Sequence, residues 1–209
     1  MSELLGYISE GEGLHQDFKF RIDDQAKIAR TLVAFANSSG GRLLIGVKDN
    51  GKIVGCNPQE EFYMIEGAAE MFCQPSLDIR SHIWQEKHYY VLEVKVEKSE
   101  KRHKAKDEEG KWRAYYRIDD HSLKGNSVLD QLWKLERSDK RKPEKFSDEE
   151  IGVIRLIREN QPISISRLNK LTQLGFGPLT DLLASLVHWK VIDLQVSQKG
   201  MRYIVTEED

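Results

Sequence analysis

An α+β fold in two domains is what this sequence predicts, and three observations predict it. Strand-like and helix-like stretches are mixed over the first two-thirds of the chain without regular βαβ alternation. A charged, proline-bearing stretch, RSDKRKPEKFS, then interrupts the apolar pattern at residues 137–147. The run beyond it returns to a regular order of helix, helix, helix and hairpin. We place the first domain at 1–137, a linker at 138–146 and the second domain at 147–209.

In the first domain, ELLGYIS at 3–9 suits a short helix and residues 15–20 suit a strand. In that strand Asp17 and Lys19 point one way, and Phe18 and Phe20 the other. Asp23 and Asp24 can cap the following helix, whose apolar face is Ala29, Leu32, Val33 and Ala36 and which Gly40 and Gly41 end. RLLIGVKDNGKIVGC reads as a hairpin with Asn50-Gly51 at its turn. A helix from Pro58 to Phe72 follows, then DIRSHIW and HYYVLEVKV as a strand pair, WRAYYRID as a further strand and NSVLDQLWKLERS as a helix.

In the second domain, Ser147 and Glu150 form a capping box before IGVIRLIREN. Pro162 breaks the chain, SISRLNKLTQ gives a second helix, and Gly175 to Pro178 form a turn before a third, PLTDLLASLVHW. KVIDLQVSQKGMRYIV closes as a hairpin with Gln198-Lys199-Gly200 at its tip. That order is the order of a winged helix-turn-helix.

Composition narrows the function. The net charge is -2, so a nucleic-acid surface must be local. Cys56 and Cys73 have neither zinc-cluster nor disulfide-framework spacing and read as free thiols of a reducing compartment. The acidic N-terminus does not read as a signal peptide, and no apolar run reaches membrane-spanning length. A cytoplasmic protein with no membrane partner is expected. No phosphate-loop spacing and no serine-nucleophile elbow occurs.

Three carboxylates stand out: Glu12 and Asp17 around the first strand, and Asp49 after the strand RLLIGV. If those strands are neighbours, the three converge near Lys19, and such oxygen clusters hold magnesium or manganese. The alternative is turn acids with an ion pair to Lys19. Basic segments lie at 98–113, with seven Lys/Arg against four Asp/Glu, and at 134–145, with six against three. The first reads as a mobile loop with Trp112 at its base, suited to a nucleic-acid backbone through Lys101, Arg102, Lys104 and Lys106, and extended by Tyr115, Tyr116 and Arg117. Residues 146–209 carry seven Lys/Arg against nine acids, and the third helix lacks base-reading Arg, Lys, Asn or Gln. Lys199 and Arg202 on the hairpin are its candidate phosphate contacts, and dimerisation through the third helix is the rival use.

GEGLHQDFKF, AFANSSGGRLLIGVKDNGKIVGC, YVLEVKVEKS and AYYRIDDHS together resemble the Schlafen AlbA family of DNA-binding domains over about residues 1–137. The resemblance implies a mixed-sheet α+β domain and a DNA-binding role, such as a transcriptional regulator. In vertebrate Schlafen relatives the matching acids form a metal-dependent ribonuclease site. This implies Glu12, Asp17 and Asp49 as metal ligands and catalytic residues, with Lys19 beside the phosphate, as the alternative function. Asp17 departs from the family's usual glutamate by one methylene.

Overall fold

The computed structural model describes residues 2–136, 138, 141–197 and 199–206. The fold is α+β, and the chain divides into two compact units, Met1–Lys124 and Gly125–Asp209.

The first unit is built on a four-stranded sheet in the order β1-β2-β5-β4, formed by β1 (Gln16–Lys19), β2 (Gly41–Ile45), β4 (Arg80–Glu86) and β5 (Tyr89–Val96). β1 runs parallel to β2, with Asp17 opposite Leu43, and the other pairs are antiparallel. The parallel pair is joined by α2 (Gln25–Asn37), capped by the Asp24 side chain, which accepts the Lys27 N–H at 3.0 Å. α2 is buried along most of its length, and its Ile28, Leu32, Val33 and Phe35 side chains each contribute roughly 1.5–3 kcal/mol against exposure. It packs with α3 (Pro58–Met71) on one face of the sheet, against Leu43, Ile45, Leu92, Val94 and Val96. The other face carries Phe18, Leu44 and Val91 and is covered by Leu4, Tyr7 and Ile8 of α1 (Glu3–Glu10). At the α2–β2 turn a Cβ on Gly41 would lie 2.3 Å from the Phe35 ring, so only glycine lets the strand pass beneath that helix.

Two smaller sheets complete the unit: β3-β6-β7, from β3 (Cys73–Gln74), β6 (Lys104–Lys106) and β7 (Trp112–Arg113), and β8-β9, from β8 (Tyr115–Ile118) and β9 (His121–Lys124). Segment 98–113, expected to be a mobile loop, therefore contains two paired strands. WRAYYRID is split at the buried Ala114 into β7 and β8, which belong to different sheets. The expected hairpin at 42–56 is reduced to a bridge between Val47 and Ile53. Gly46, at φ +95°, turns the chain there, and its carbonyl accepts the N–H groups of Val54 and Gly55.

The second unit comprises α4 (Ser127–Leu135), α5 (Asp148–Asn160), α6 (Ile165–Leu171), α7 (Phe176–His188) and the hairpin β10 (Ile192–Ser197) with β11 (Gly200–Val205). The capping box of Ser147 and Glu150 is present. α7 begins at Phe176 with Gly175 as its cap, so Pro178 lies inside the first helical turn rather than in a preceding turn. Val128 of α4 is fully buried in this unit's core with Leu168, Leu183 and Tyr203. The division thus falls before α4, which the sequence groups with the first domain. Arg137, Asp139 and Lys140 of the expected linker, and Gln198 of the expected hairpin tip, lie outside the described residues. Among the described residues no helix is long and apolar enough to cross a membrane, and both cysteines are free.

Candidate functional site

The edge strand β1 determines where the acids stand. Its N-terminal approach is fixed by Gln16, whose side-chain amide donates to the carbonyls of Tyr7 and Gly11, both at 2.7 Å. The turn at Gly13 folds Glu12 back over the strand, and Glu12 Oε1 accepts the Phe18 N–H at 2.9 Å. Burial raises the Glu12 pKa above the ordinary carboxylate value, and the negative charges of Asp17 and Asp49 add to that. The Phe18 N–H and the Lys19 charge oppose it. Glu12 thus feels the charges of Asp17, Lys19 and Asp49.

The three acids are not arranged as an ion's ligands. Asp17 is 5% exposed, with Oδ1 accepting Arg117 Nη2 at 2.9 Å and Oδ2 2.5 Å from Lys19 Nζ. Both oxygens face cations. Asp49 lies exposed in the turn that follows Val47. A divalent ion here would meet the Arg117 and Lys19 charges, and the donor set in this arrangement does not fit one. Among the described residues no group of three or more His, Cys, Asp or Glu stands close enough to hold a metal ion.

Arg117 differs from its expected role as a phosphate contact. It is 4% exposed. Its guanidinium donates to Gly13 O at 3.1 Å, Ser122 Oγ at 3.3 Å and Gln16 O at 3.1 Å, besides Asp17, and lies 5.0 Å from the Phe35 ring centroid. The planar fork is consumed in tying β8 to the β1 turn and to the end of α2. Strand parity carries the signal for this: Arg117 shares a face with the buried Tyr115.

The sequence does not assign a role to Asn37, at the end of AFAN. Buried, it donates to His103 O at 2.9 Å and Tyr115 O at 3.0 Å, and accepts the His103 N–H at 3.0 Å. The basic segment is thereby pinned to α2. The His103 ring bridges Pro75 O and Ser99 Oγ at 2.9 and 2.8 Å, and burial pushes its pKa down.

Lys104 and Lys106 alternate with the fully buried Ala105 on β6 and so share a face. Lys106 Nζ lies 5.3 Å from the Trp112 ring centroid and 6.0 Å from that of Phe72. Arg30 Nε braces the strand by donating to Lys106 O at 3.0 Å. The β6–β7 turn is closed by Asp107, which accepts the N–H groups of Glu109 and Lys111 and lies 3.1 Å from Lys124 Nζ. Led by the Lys111 N–H, these partners lower the Asp107 pKa to about 2. Lys101 is exposed beside this sheet, and Arg102 is half-buried. In the second unit Lys199 is exposed at the hairpin turn, and Arg202 is half-buried opposite Gln195.

Phe18 is buried, whereas Phe20, which lies beyond the end of β1 at Lys19, is 51% exposed. Arg21 and Lys48 flank the Phe20 ring at 5.9 and 5.8 Å.

A mixed sheet carrying charged residues at its parallel edge, with a small basic sheet pinned to the crossover helix, defines an α+β domain class. The chain belongs to the Schlafen, AlbA_2 family, whose model matches residues 12–126, more than half of the sequence. Solved structures similar to this chain include the DIP2311 protein from Corynebacterium diphtheriae, at 14% identity and a TM-score of 0.43 over 90% of this chain and 34% of that one. The N-terminal domain of a RecG-related protein from Nitrosomonas europaea is similar at 22% identity and a TM-score of 0.44, over 68% of this chain and 93% of that one. The chain thus spans about a third of the C. diphtheriae protein. Comparison with curated proteins gives no match.

Proposed function

We propose that this chain is a nucleic-acid-binding protein, acting on DNA as a transcriptional regulator, and that its first unit binds by contacts to the phosphate backbone. The observation that carries this reading is the ordered basic face of β6, where Lys104 and Lys106 share one side of the strand, Lys106 stands over Trp112, and Asn37 and Arg30 hold the segment in place. Preordered cations next to an aromatic ring suit a backbone with bases against it. Lys101 and Arg102 belong to the same basic segment, and Lys19 is a separate candidate contact on β1 that is already paired with Asp17. In the second unit, the order of α5, α6, α7 and the hairpin supports a winged helix, with Lys199 and Arg202 touching phosphates from its wing. Homodimerisation through α7 is the rival use of that unit, opposed by the burial of Leu179, Leu183, Ala184 and Leu186 in the unit's own core.

Filter binding of the full chain to duplex and single-stranded nucleic acid tests the reading. Binding at low salt that Lys104→Glu/Lys106→Glu weakens at least about tenfold is expected, since each phosphate contact releases counterions. No binding at low salt contradicts it.

The second reading is a metal-dependent ribonuclease using Glu12, Asp17 and Asp49, with Lys19 at the phosphate. It is favoured by the electrostatic proximity of the three acids and opposed by the two cations already on Asp17. Magnesium or manganese would supply water activation there only after Asp17 left its partners. RNA cleavage that EDTA and Asp49→Ala both abolish is the outcome that establishes it.

A further inference from the structure

The face of the main sheet that α1 covers only in part carries a second charged surface. Arg42 of β2 lies directly opposite Lys95 of β5, which lies directly opposite Arg80 of β4. Side chains opposite one another in adjacent strands share a face, and like charges so placed repel. The row becomes more open toward the sheet edge, with side-chain exposures of 25%, 47% and 81%.

The protein offsets this row only in part. Glu93 is 1% exposed, and its Oε1 lies 3.4 Å from Lys95 Nζ and 3.7 Å from Arg42 Nη1. Neither Glu93 Oε1 nor Arg42 Nη1 has a hydrogen-bond partner, although both are buried. A carboxylate sealed in this way is costly unless it is satisfied. Glu93 Oε2 is satisfied, by Trp84 Nε1–H at 2.9 Å. Arg42 is further held with its guanidinium carbon 3.5 Å from the Tyr7 ring centroid. At the open end, Arg80 pairs with Glu97 at 3.7 Å with both side chains well exposed, an arrangement that contributes little and exchanges readily.

Beside the row is a depression of about 350 Å³ whose lining includes Glu3, Arg80, His82, Trp84, Glu93 and Lys95. His82 is exposed, and its ring meets Trp84 edge-on, with centroids 4.4 Å apart and planes at 71°. Cations on one strand row and an exposed aromatic one row along place a phosphate and its base side by side.

We propose that this face binds single-stranded nucleic acid, with phosphates on Lys95 and Arg80 and an unstacked base against His82 and Trp84. The proposal rests on the nucleic-acid-binding reading and adds a site separate from the β6 face. A single strand fits and a duplex does not, because duplex bases are stacked inside the helix and have no face to offer the depression.

Fluorescence anisotropy with a labelled single-stranded oligonucleotide and the matching duplex, on the full chain at low salt, tests it. Arg80→Glu/Lys95→Glu is expected to weaken single-strand binding about tenfold or more through lost phosphate contacts. His82→Ala is expected to weaken it about fivefold, within the range of one base stack, while duplex binding is unchanged. Arg80→Gln/Lys95→Gln replaces the charge reversal if circular dichroism finds that variant unfolded. Single-strand binding that the sheet-face variants leave intact overturns this proposal alone, provided Lys104→Glu/Lys106→Glu still weakens it. Equal loss of duplex and single-strand binding in His82→Ala overturns the assignment of a base to that ring. A wild-type chain that binds neither probe overturns both this site and the general reading.

Discussion

Replacing Arg117 by alanine would leave the buried Asp17 carboxylate with Lys19 as its remaining cation, and strand β8 without its tie to the β1 turn. Breaking a buried pair from one side costs about 3–5 kcal/mol, so urea unfolding of Arg117→Ala is expected to show a loss of that order. Arg117→Lys should recover little of it, because an ammonium cannot span four acceptors held in the plane of a fork. A loss below about 1 kcal/mol, the size of a surface ion pair, would contradict the internal role. Asp107 gives a pH-dependent counterpart. Its carboxyl, ordinarily at 3.8, is held at about 2, so the folded state prefers the ionised form. The stabilisation is full above the ordinary value and disappears as pH falls toward 2. Asp107→Asn should therefore be less stable than the parent at pH 6, with the gap closing between pH about 4 and about 2 in denaturation series. The residue types at Glu12, Asp17, Lys19 and Asp49 announce charge chemistry in the sequence; the structure sets Lys19 and Arg117 against Asp17 and leaves Asp49 exposed in a turn. What spacing alone does not convey is that a cation one hundred positions away, Arg117, occupies Asp17.

At the scale of elements, Asn37 couples α2 to both the basic segment and β8 through three buried hydrogen bonds. Asn37→Ala would leave the His103 N–H and two carbonyls without this partner, at about 1–3 kcal/mol for each buried group left unsatisfied. Faster amide exchange at residues 99–106 than in the main sheet should accompany the loss; uniform acceleration across the whole unit would mean that Asn37 has no local role. The long elements were legible because their apolar periodicity is strong. Ala29, Leu32, Val33 and Ala36, spaced at the period of a helix, are buried in α2, although burial there extends nearly all round the helix. The short strands β3, β6 and β9 were not, since KAK or CQ carries too few residues to display alternation. A basic stretch without visible period reads as a loop, although β6 is fastened at Ala105 and by Arg30. The hairpin at Asn50-Gly51 was legible as a turn and not as a strand pair, because Gly46 diverts the chain before a ladder can extend.

For the whole molecule, two compact units with separate cores imply separate folding, and the boundary at Lys124 assigns α4 to the second. A fragment spanning 125–209 is expected to unfold cooperatively. One spanning 147–209 lacks Val128 and the partly buried Leu132 and Leu135, and should be several kcal/mol less stable, at about 1.5–3 kcal/mol per buried apolar side chain lost. Equal stability of the two fragments would return α4 to the first domain. The composition break at 137–147 conceals this division, since a charged linker is conspicuous whereas the Lys124-Gly125 junction has no compositional signature. Nucleic-acid binding is proposed to rest on surface cations that an ordered fold presents to the phosphate backbone. It is tested most directly by the slope of log binding constant against log salt for the wild-type chain and for Lys104→Glu/Lys106→Glu. The wild type should show a steep negative slope, and the variant a shallower one by about 0.7–0.9 for each lost phosphate contact. Binding that is independent of salt, or a slope identical in the two proteins, would contradict the account.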